Sequence, residues 1–128
     1  MSDNNTPSIL YMEDDEGLAR LFKKKIEKEG YKVDIASNGR VGLEMIDANP
    51  YHIIAMDNQM PEYNGIDVLK ILKDRESEHP PVIMITGTGS EEIAIQAMKL
   101  GASDYIIKDV DNRYFELLPS LLEKVLEK

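Results

Sequence analysis

The stretch from Ile53 to Pro61, which reads IIAMDNQMP, indicates how the chain folds. Apolar residues run directly into Asp57, and polar residues and a proline follow at once. An apolar run bounded by turn residues is typical of a strand buried on both faces of a parallel sheet. Asp57 then stands at the carboxyl end of that strand, the edge where ligands bind in open α/β folds. Taken alone, this carboxylate is either a cap for the following turn or a chemical group.

Strand and helix patterns alternate along the whole chain. Short apolar or alternating runs predict strands over 8–12, 31–36, 53–57, 82–86 and 105–108. The segments between them have apolar residues at helical spacing, and Ser90 is the expected cap of the fourth helix. Pro119 either bends the fifth helix or marks its start. The alternation predicts a doubly wound α/β fold, a five-stranded parallel sheet with helices on both faces and the second strand at or near an edge.

The composition limits the classes of function. The 128 residues fit one domain, 1–128, in which we expect 1–7 to be a flexible N-terminus. A net charge of −9 argues against nucleic acid or an anionic membrane as a direct partner. The absence of cysteine excludes disulfides, zinc–thiolate sites and thiol catalysis. The sequence has no signal-peptide pattern and no apolar run of the ~18 residues that span a membrane, so we expect a cytoplasmic location.

Polar side chains follow four of the predicted strands. Because the carboxyl ends of parallel strands meet at one edge of the sheet, these side chains should converge; they are Glu13, Asp14, Asp57, Thr86 and Lys108. Three neighbouring carboxylates stay ionised only if a cation shares the site, and an all-oxygen ligand set suits Mg²⁺. Such a metal keeps open positions for a phosphoryl group, whose oxygens a hydroxyl and an ammonium group would bind.

These motifs, taken together and in this order, resemble those of response-regulator receiver domains, the CheY-like family of two-component signalling. The resemblance covers nearly all of the chain from about residue 8. It rests on the acidic pair after 9–12, MDNQMP at 56–61, Gly65, the Ile-Thr pair at 85–86 with its following glycine, and GASDYIIK at 101–108. It implies a flavodoxin-like (βα)5 fold with strand order 2-1-3-4-5.

The resemblance also implies a role for each acidic residue of the site. Asp57 would be the phosphoacceptor, which takes a phosphoryl group from a phosphohistidine of a sensor histidine kinase or a histidine phosphotransfer protein. Asp14 and Asp57 would bind Mg²⁺ directly, Glu13 would hold a metal-bound water, and the backbone carbonyl of Gln59 would complete the protein ligands.

The resemblance further implies that phosphorylation changes the conformation of the domain, and it gives three residues a role in that change. Thr86 and Lys108 would bind the phosphoryl oxygens, and Tyr105 would be the aromatic residue whose rotamer follows Thr86. Phosphorylation would shift a pre-existing two-state equilibrium and change the face made by the fourth helix, fifth strand and fifth helix. An output partner, which the sequence does not identify, would bind there. The chain would be a signalling module that catalyses only its own phosphorylation and slow dephosphorylation.

Two positions depart from the family pattern. Asp109 follows Lys108, where the family usually has a proline in a cis peptide, and this predicts a different loop before the last helix. Gly87 replaces a common alanine and predicts a looser loop and a more open site.

Two other functions stay open. One is a Mg²⁺-dependent phosphohydrolase with an aspartyl nucleophile, although such enzymes generally need a second acid where this chain has Gln59. The other is a degenerate receiver that only binds proteins, against which the complete set of site residues argues. The sequence does not decide whether the chain is a stand-alone regulator or a receiver cut from a larger protein.

Overall fold

The computed structural model describes residues 6–75, 77–87, 91–108 and 113–127. Strands and helices alternate through these residues. The strands are β1 Ser8–Met12, β2 Lys32–Ala36, β3 Ile53–Asp57, β4 Val82–Thr86 and β5 Asp104–Ile107. The helices are α1 Glu16–Glu27, α2 Gly39–Ala48, α3 Gly65–Asp74, α4 Glu91–Lys99 and α5 Tyr114–Leu126.

The five strands form one parallel sheet in the order β2-β1-β3-β4-β5. The predicted fold class and strand order are therefore confirmed, and β2 is an edge strand. All five residues of β3 are buried, as its continuous apolar run predicts for the centre of a parallel sheet. Asp57, the last residue of β3, pairs in register with Ile85 of β4.

Apolar side chains fill the space on both faces of the sheet. Because successive side chains of a strand point to opposite faces, the residues of β1 divide between two clusters. Ile9 and Tyr11 pack with Phe22 of α1 and with α5, whereas Leu10 and Met12 pack with apolar residues of α2, α3 and α4. Because all five strands are parallel and are held between these two apolar layers, their carboxyl ends lie at one edge of the sheet.

Some predicted boundaries differ from those observed. The fifth strand begins at Asp104 and ends at Ile107, so Lys108 lies just past it, although the Lys108 N–H still donates to the Thr86 carbonyl at 2.7 Å. Pro119 lies inside α5 and does not mark its start. The predicted cap Ser90, the departure at Asp109 and the first five residues lie outside the described residues. Within the described ranges, every helix is too short or too polar to cross a membrane.

Candidate functional site

Lys108 joins two carboxylates at the carboxyl edge of the sheet. Its Nζ donates to Glu13 Oε1 at 2.8 Å and to Asp57 Oδ2 at 3.0 Å. These residues follow or end β1, β3 and β5, and the parallel register brings them together across 95 and 51 positions of the chain. Glu13 and Asp57 are buried, and the Lys108 side chain is only 16% exposed. Water therefore screens these ion pairs weakly.

Three acidic residues form a candidate metal site beside Lys108. Glu13, Asp14 and Asp57 each offer a carboxylate oxygen, and these oxygens lie within 4.8 Å of one another. Asp14 is exposed while the other two are buried, so the cluster opens to solvent on one side. Clustered carboxylates with an open approach are the donor set that Mg²⁺ prefers, and the residues present therefore fit the metal predicted from the sequence.

The charge balance of the site favours a protonated Lys108. Burial by itself would lower the pKa of this ammonium, but its hydrogen bond to Glu13 and the negative charges of Asp57 and Glu13 outweigh burial. The pKa of Lys108 is therefore raised above its ordinary value. The positive charge offsets part of the repulsion between the two buried carboxylates.

Glu13 is held at both carboxylate oxygens. Its Oε1 accepts from the Tyr11 hydroxyl at 2.9 Å as well as from Lys108, and its Oε2 accepts from the Asp15 N–H at 3.2 Å. Burial raises the pKa of Tyr11 well above its ordinary value, and the charge and hydrogen bond of Glu13 raise it further. The phenol therefore stays a hydrogen-bond donor. The sequence pattern predicts Tyr11 only as part of a buried strand. The signal that was available is its position two residues before Glu13, which places both on one side of an extended chain.

The loop after Asp57 is fixed by backbone contacts. The Gln59 N–H donates to Asp57 Oδ1 at 3.3 Å, and the Asn58 carbonyl accepts from the Gly65 N–H at 3.0 Å. Asn58 Oδ1 also accepts from the Ile66 N–H at 3.0 Å. A Cβ on Gly65 would lie 3.0 Å from the Asp57 carbonyl oxygen, so the motif glycine allows the start of α3 to approach β3.

Thr86 supplies a buried hydroxyl at the end of β4. The residue is 1% exposed, and its Oγ1 has no hydrogen-bond partner among the described residues. A buried hydroxyl without a partner is costly, and native structures keep few of them. An unpaired hydroxyl at this edge therefore marks a place where a ligand atom can bind.

The site and the fold agree with the comparison to known families. The sequence profile described as "Response regulator receiver domain" matches residues 9–117. The chain belongs to this family. Receiver domains of response regulators are signalling modules, and Glu13, Asp14 and Asp57 of this one form an acidic cluster that could hold a metal ion.

Related sequences support the same assignment. The transcriptional regulatory protein CpxR of Escherichia coli (strain K12) is 39% identical over 105 residues, which cover 82% of this receiver domain and 44% of CpxR. The transcriptional regulatory protein SrrA of Staphylococcus aureus (strain NCTC 8325 / PS 47) is 36% identical over 105 residues, 82% of this chain and 43% of SrrA. The chain thus spans less than half the length of these curated relatives.

Solved receiver domains share the architecture. The Francisella response regulator 1452 receiver domain superposes with a TM-score of 0.84 at 30% identity, covering 95% of this chain and 98% of that one. The receiver domain of a signal transduction histidine kinase from Syntrophus aciditrophicus gives a TM-score of 0.84 at 26% identity, covering 95% and 91%.

Large apolar side chains of α4, β5 and α5 are exposed to solvent. Tyr105 of β5 is 43% exposed, and Ile95 and Met98 of α4 and Leu117 of α5 are also exposed. Tyr105 pairs with Met84, two positions before Thr86 along β4. Tyr105, the aromatic residue whose rotamer is predicted to respond to Thr86, therefore lies on a neighbouring strand with its side chain partly in solvent.

A second part of the loop after Asp57 was not anticipated from the sequence. Glu62 and Tyr63 have φ angles of 49° and 80°, in the left-handed region that residues with side chains rarely adopt. Arg40 of α2 holds this segment, because its N–H donates to the Glu62 carbonyl at 3.0 Å and its Nε to Glu62 Oε1 at 3.1 Å. Asn64 then caps α3 by accepting from the Asp67 N–H at 2.8 Å. Strain of this kind persists where surrounding contacts enforce it.

Proposed function

We propose that this receiver domain is a phosphoacceptor switch that accepts a phosphoryl group on Asp57. The single observation that carries the proposal is the convergence of the Asp57 carboxylate with an ammonium group and two further carboxylates at one edge of the sheet. The phosphoryl donor is a phosphohistidine of a sensor histidine kinase or a histidine phosphotransfer protein.

The chemistry is a transfer between two nucleophiles. A carboxylate oxygen of Asp57 attacks the phosphorus, the bond from phosphorus to the histidine nitrogen breaks, and that nitrogen keeps the electron pair. Asp57 then carries an acyl phosphate. Hydrolysis by water releases inorganic phosphate and restores the carboxylate. This makes the modification reversible, as a switch requires.

Each neighbouring residue has a role in the transfer. Mg²⁺, bound by Asp14, Asp57 and the Gln59 carbonyl and through a water by Glu13, would offset the charge of the phosphoryl oxygens. Lys108 would turn from the carboxylates of Glu13 and Asp57 to a phosphoryl oxygen, since an ammonium can exchange one anionic acceptor for another.

Thr86 and Tyr105 connect the transfer to a change of surface. The Thr86 hydroxyl, which has no partner among the described residues, would gain one by donating to a phosphoryl oxygen. Movement of the Thr86 side chain toward the phosphoryl group would free space behind it. The Tyr105 ring, now 43% exposed, would turn inward into that space. The face of α4, β5 and α5 would then present a different apolar surface to an output partner.

The decisive experiment is labelling by acetyl phosphate in the presence of Mg²⁺, followed by intact-mass measurement. The wild-type chain should gain one phosphoryl group, and Asp57→Asn should gain none because the amide is a poor nucleophile. Asp47→Asn is a matched control, since Asp47 is an exposed carboxylate near the C-terminal end of α2, where it pairs with Arg75. Labelling of Asp57→Asn at the wild-type level would contradict the proposal.

The alternatives predict other outcomes in the same assay. A phosphohydrolase would release phosphate from a small ester over many turnovers. A degenerate receiver would bind no Mg²⁺ near Asp57 and would remain unlabelled.

A further inference from the structure

Tyr11 lies directly under the acidic cluster. The residue is 0% exposed in β1, and its ring stacks on Phe22 of α1 with ring centroids 3.9 Å apart. Its hydroxyl donates to Glu13 Oε1 at 2.9 Å. The stacked ring leaves the phenol little freedom, so its hydroxyl is a fixed donor aimed at one carboxylate oxygen.

The other side-chain donor to that oxygen is shared. Lys108 Nζ donates to Glu13 Oε1 at 2.8 Å and also to Asp57 Oδ2 at 3.0 Å. If Lys108 turns to a phosphoryl group, Glu13 Oε1 loses one of its two donors. The Tyr11 hydroxyl is then the side-chain donor that stays. A buried carboxylate that loses donors is free to rotate, and rotation turns it away from the metal site.

We propose that Tyr11 is a positioning residue, which holds the Glu13 carboxylate toward the metal site when Lys108 moves to the phosphoryl group. This inference rests on the proposed function, because that function supplies the movement of Lys108. Groups that orient metal ligands without touching the metal change metal affinity by about 10–100-fold when they are removed. Glu13 is expected to act through a water, so the lower end of that range applies.

The test compares Mg²⁺ affinity with and without beryllofluoride, an analogue of the phosphoryl group, by isothermal titration calorimetry on the intact chain. Tyr11→Phe keeps the ring stacked on Phe22 and removes only the hydroxyl. With beryllofluoride, we expect its Mg²⁺ dissociation constant to rise by about tenfold. Without beryllofluoride the rise should be clearly smaller, because Lys108 still holds Glu13. A merely structural role would weaken binding equally in both conditions.

Two further variants give this comparison its controls. Tyr51→Phe removes another tyrosine hydroxyl that is bonded to a carboxylate, with Tyr51 Oη 2.7 Å from Asp34 Oδ2, but near the opposite edge of the sheet. It should leave Mg²⁺ affinity unchanged in both conditions. In a Glu13→Gln background, Tyr11→Phe should add little, since residues that act through one contact are not additive.

The possible failures are distinguishable. Wild-type protein that binds neither Mg²⁺ nor beryllofluoride would contradict the proposed function itself. Wild-type protein that binds both, with Tyr11→Phe unchanged or weakened equally in the two conditions, would overturn only the role of Tyr11. A full effect of Tyr11→Phe in the Glu13→Gln background would also overturn it, because the effect would not pass through Glu13.

Discussion

The ammonium group of Lys108 lies 3.0 Å from the Asp57 carboxylate, although 51 positions separate the two residues. Nothing local in the chain brings them together. The contact exists because β3 and β5 end at the same edge of a parallel sheet, with β4 between them. It would allow one charged side chain to respond directly to the proposed chemistry at Asp57.

Lys108→Met should destabilise the metal-free protein. Methionine keeps an apolar stem but leaves the buried carboxylates of Glu13 and Asp57 without their shared cation. We expect the free energy of unfolding to fall by about 3 kcal/mol, the lower end for a broken buried ion pair. Urea unfolding in the presence of a chelator measures the change, and added Mg²⁺ should reduce it by supplying a new cation.

Lys124→Met is the control for that prediction. Lys124 pairs with Asp104 at 3.5 Å, but its side chain is 63% exposed. An exposed pair contributes about 0–1 kcal/mol. Equal losses in the two lysine variants, or a loss in Lys108→Met that Mg²⁺ does not reduce, would contradict the account of the buried pair.

Thr86→Val should make the unmodified protein more stable. Valine has nearly the same shape, and it replaces a buried hydroxyl that has no partner among the described residues. Removing an unpaired buried polar group should raise the free energy of unfolding by about 1 kcal/mol. Thermal unfolding measures this gain. The same variant should bind beryllofluoride more weakly, whereas Thr86→Ser should keep that binding. A destabilised Thr86→Val would show that the hydroxyl already has a partner.

Stability should fall at alkaline pH partly through Tyr11. Burial raises its pKa, and the charge and hydrogen bond of Glu13 and the charges of Tyr114 and Asp57 add to this. The stabilising contribution is fully present below the unfolded pKa of about 10 and is lost as pH rises through the higher folded pKa. The free energy of unfolding of Tyr11→Phe should therefore fall less steeply above pH ~10 than that of the wild type. Tyr63→Phe, at a position 48% exposed, is the control that should follow the wild type.

Gly87→Ala should be tolerated and stabilising. A Cβ at this position would meet no heavy atom within 4 Å among the described residues, and its backbone is outside the left-handed region. Replacing glycine with alanine at such a site typically adds about 0.4–1 kcal/mol by restricting the unfolded chain. Thermal unfolding of Gly39→Ala is the contrast, because its Cβ would collide with the backbone carbonyl of Tyr63. Similar stability of the two variants would contradict the conclusion that there is room for a Cβ at Gly87 but not at Gly39.

The sequence predicts the architecture well because the spacing of apolar residues along the chain reflects which side chains are buried in the fold. The run that ends at Asp57 is typical of a strand buried on both faces, and the parallel order then brings Glu13, Asp57 and Lys108 to one edge. Their roles came from the family resemblance and stay proposals here. The position of Pro119 could not be predicted, because packing of Leu118 and Leu122 in the core outweighs the missing backbone donor.

Other parts of the site depend on tertiary contacts without a sequence pattern. The hydrogen bonds from Arg40 to Glu62 join the start of α2 to the loop before α3, 22 positions away, and no spacing rule predicts them. The left-handed backbone at Glu62 and Tyr63 is unexpected for such side chains. The hydrogen bond from Tyr11 to Glu13 needs both the strand geometry and the inward direction of Glu13.

The capping of α3 also bears on the chemical durability of the protein. Asn64 precedes Gly65, and an asparagine followed by glycine is the dipeptide most prone to cyclise to a succinimide. Here the Gly65 nitrogen, which must attack the side chain, donates to the Asn58 carbonyl, and the Asn64 side chain is held by Asp67. We therefore expect folding to slow succinimide formation at this position. Isoaspartate at position 64 would lengthen the backbone between Asp57 and α3, so stored protein that has partly unfolded should lose the proposed phosphoryl acceptance without any cleavage of the chain.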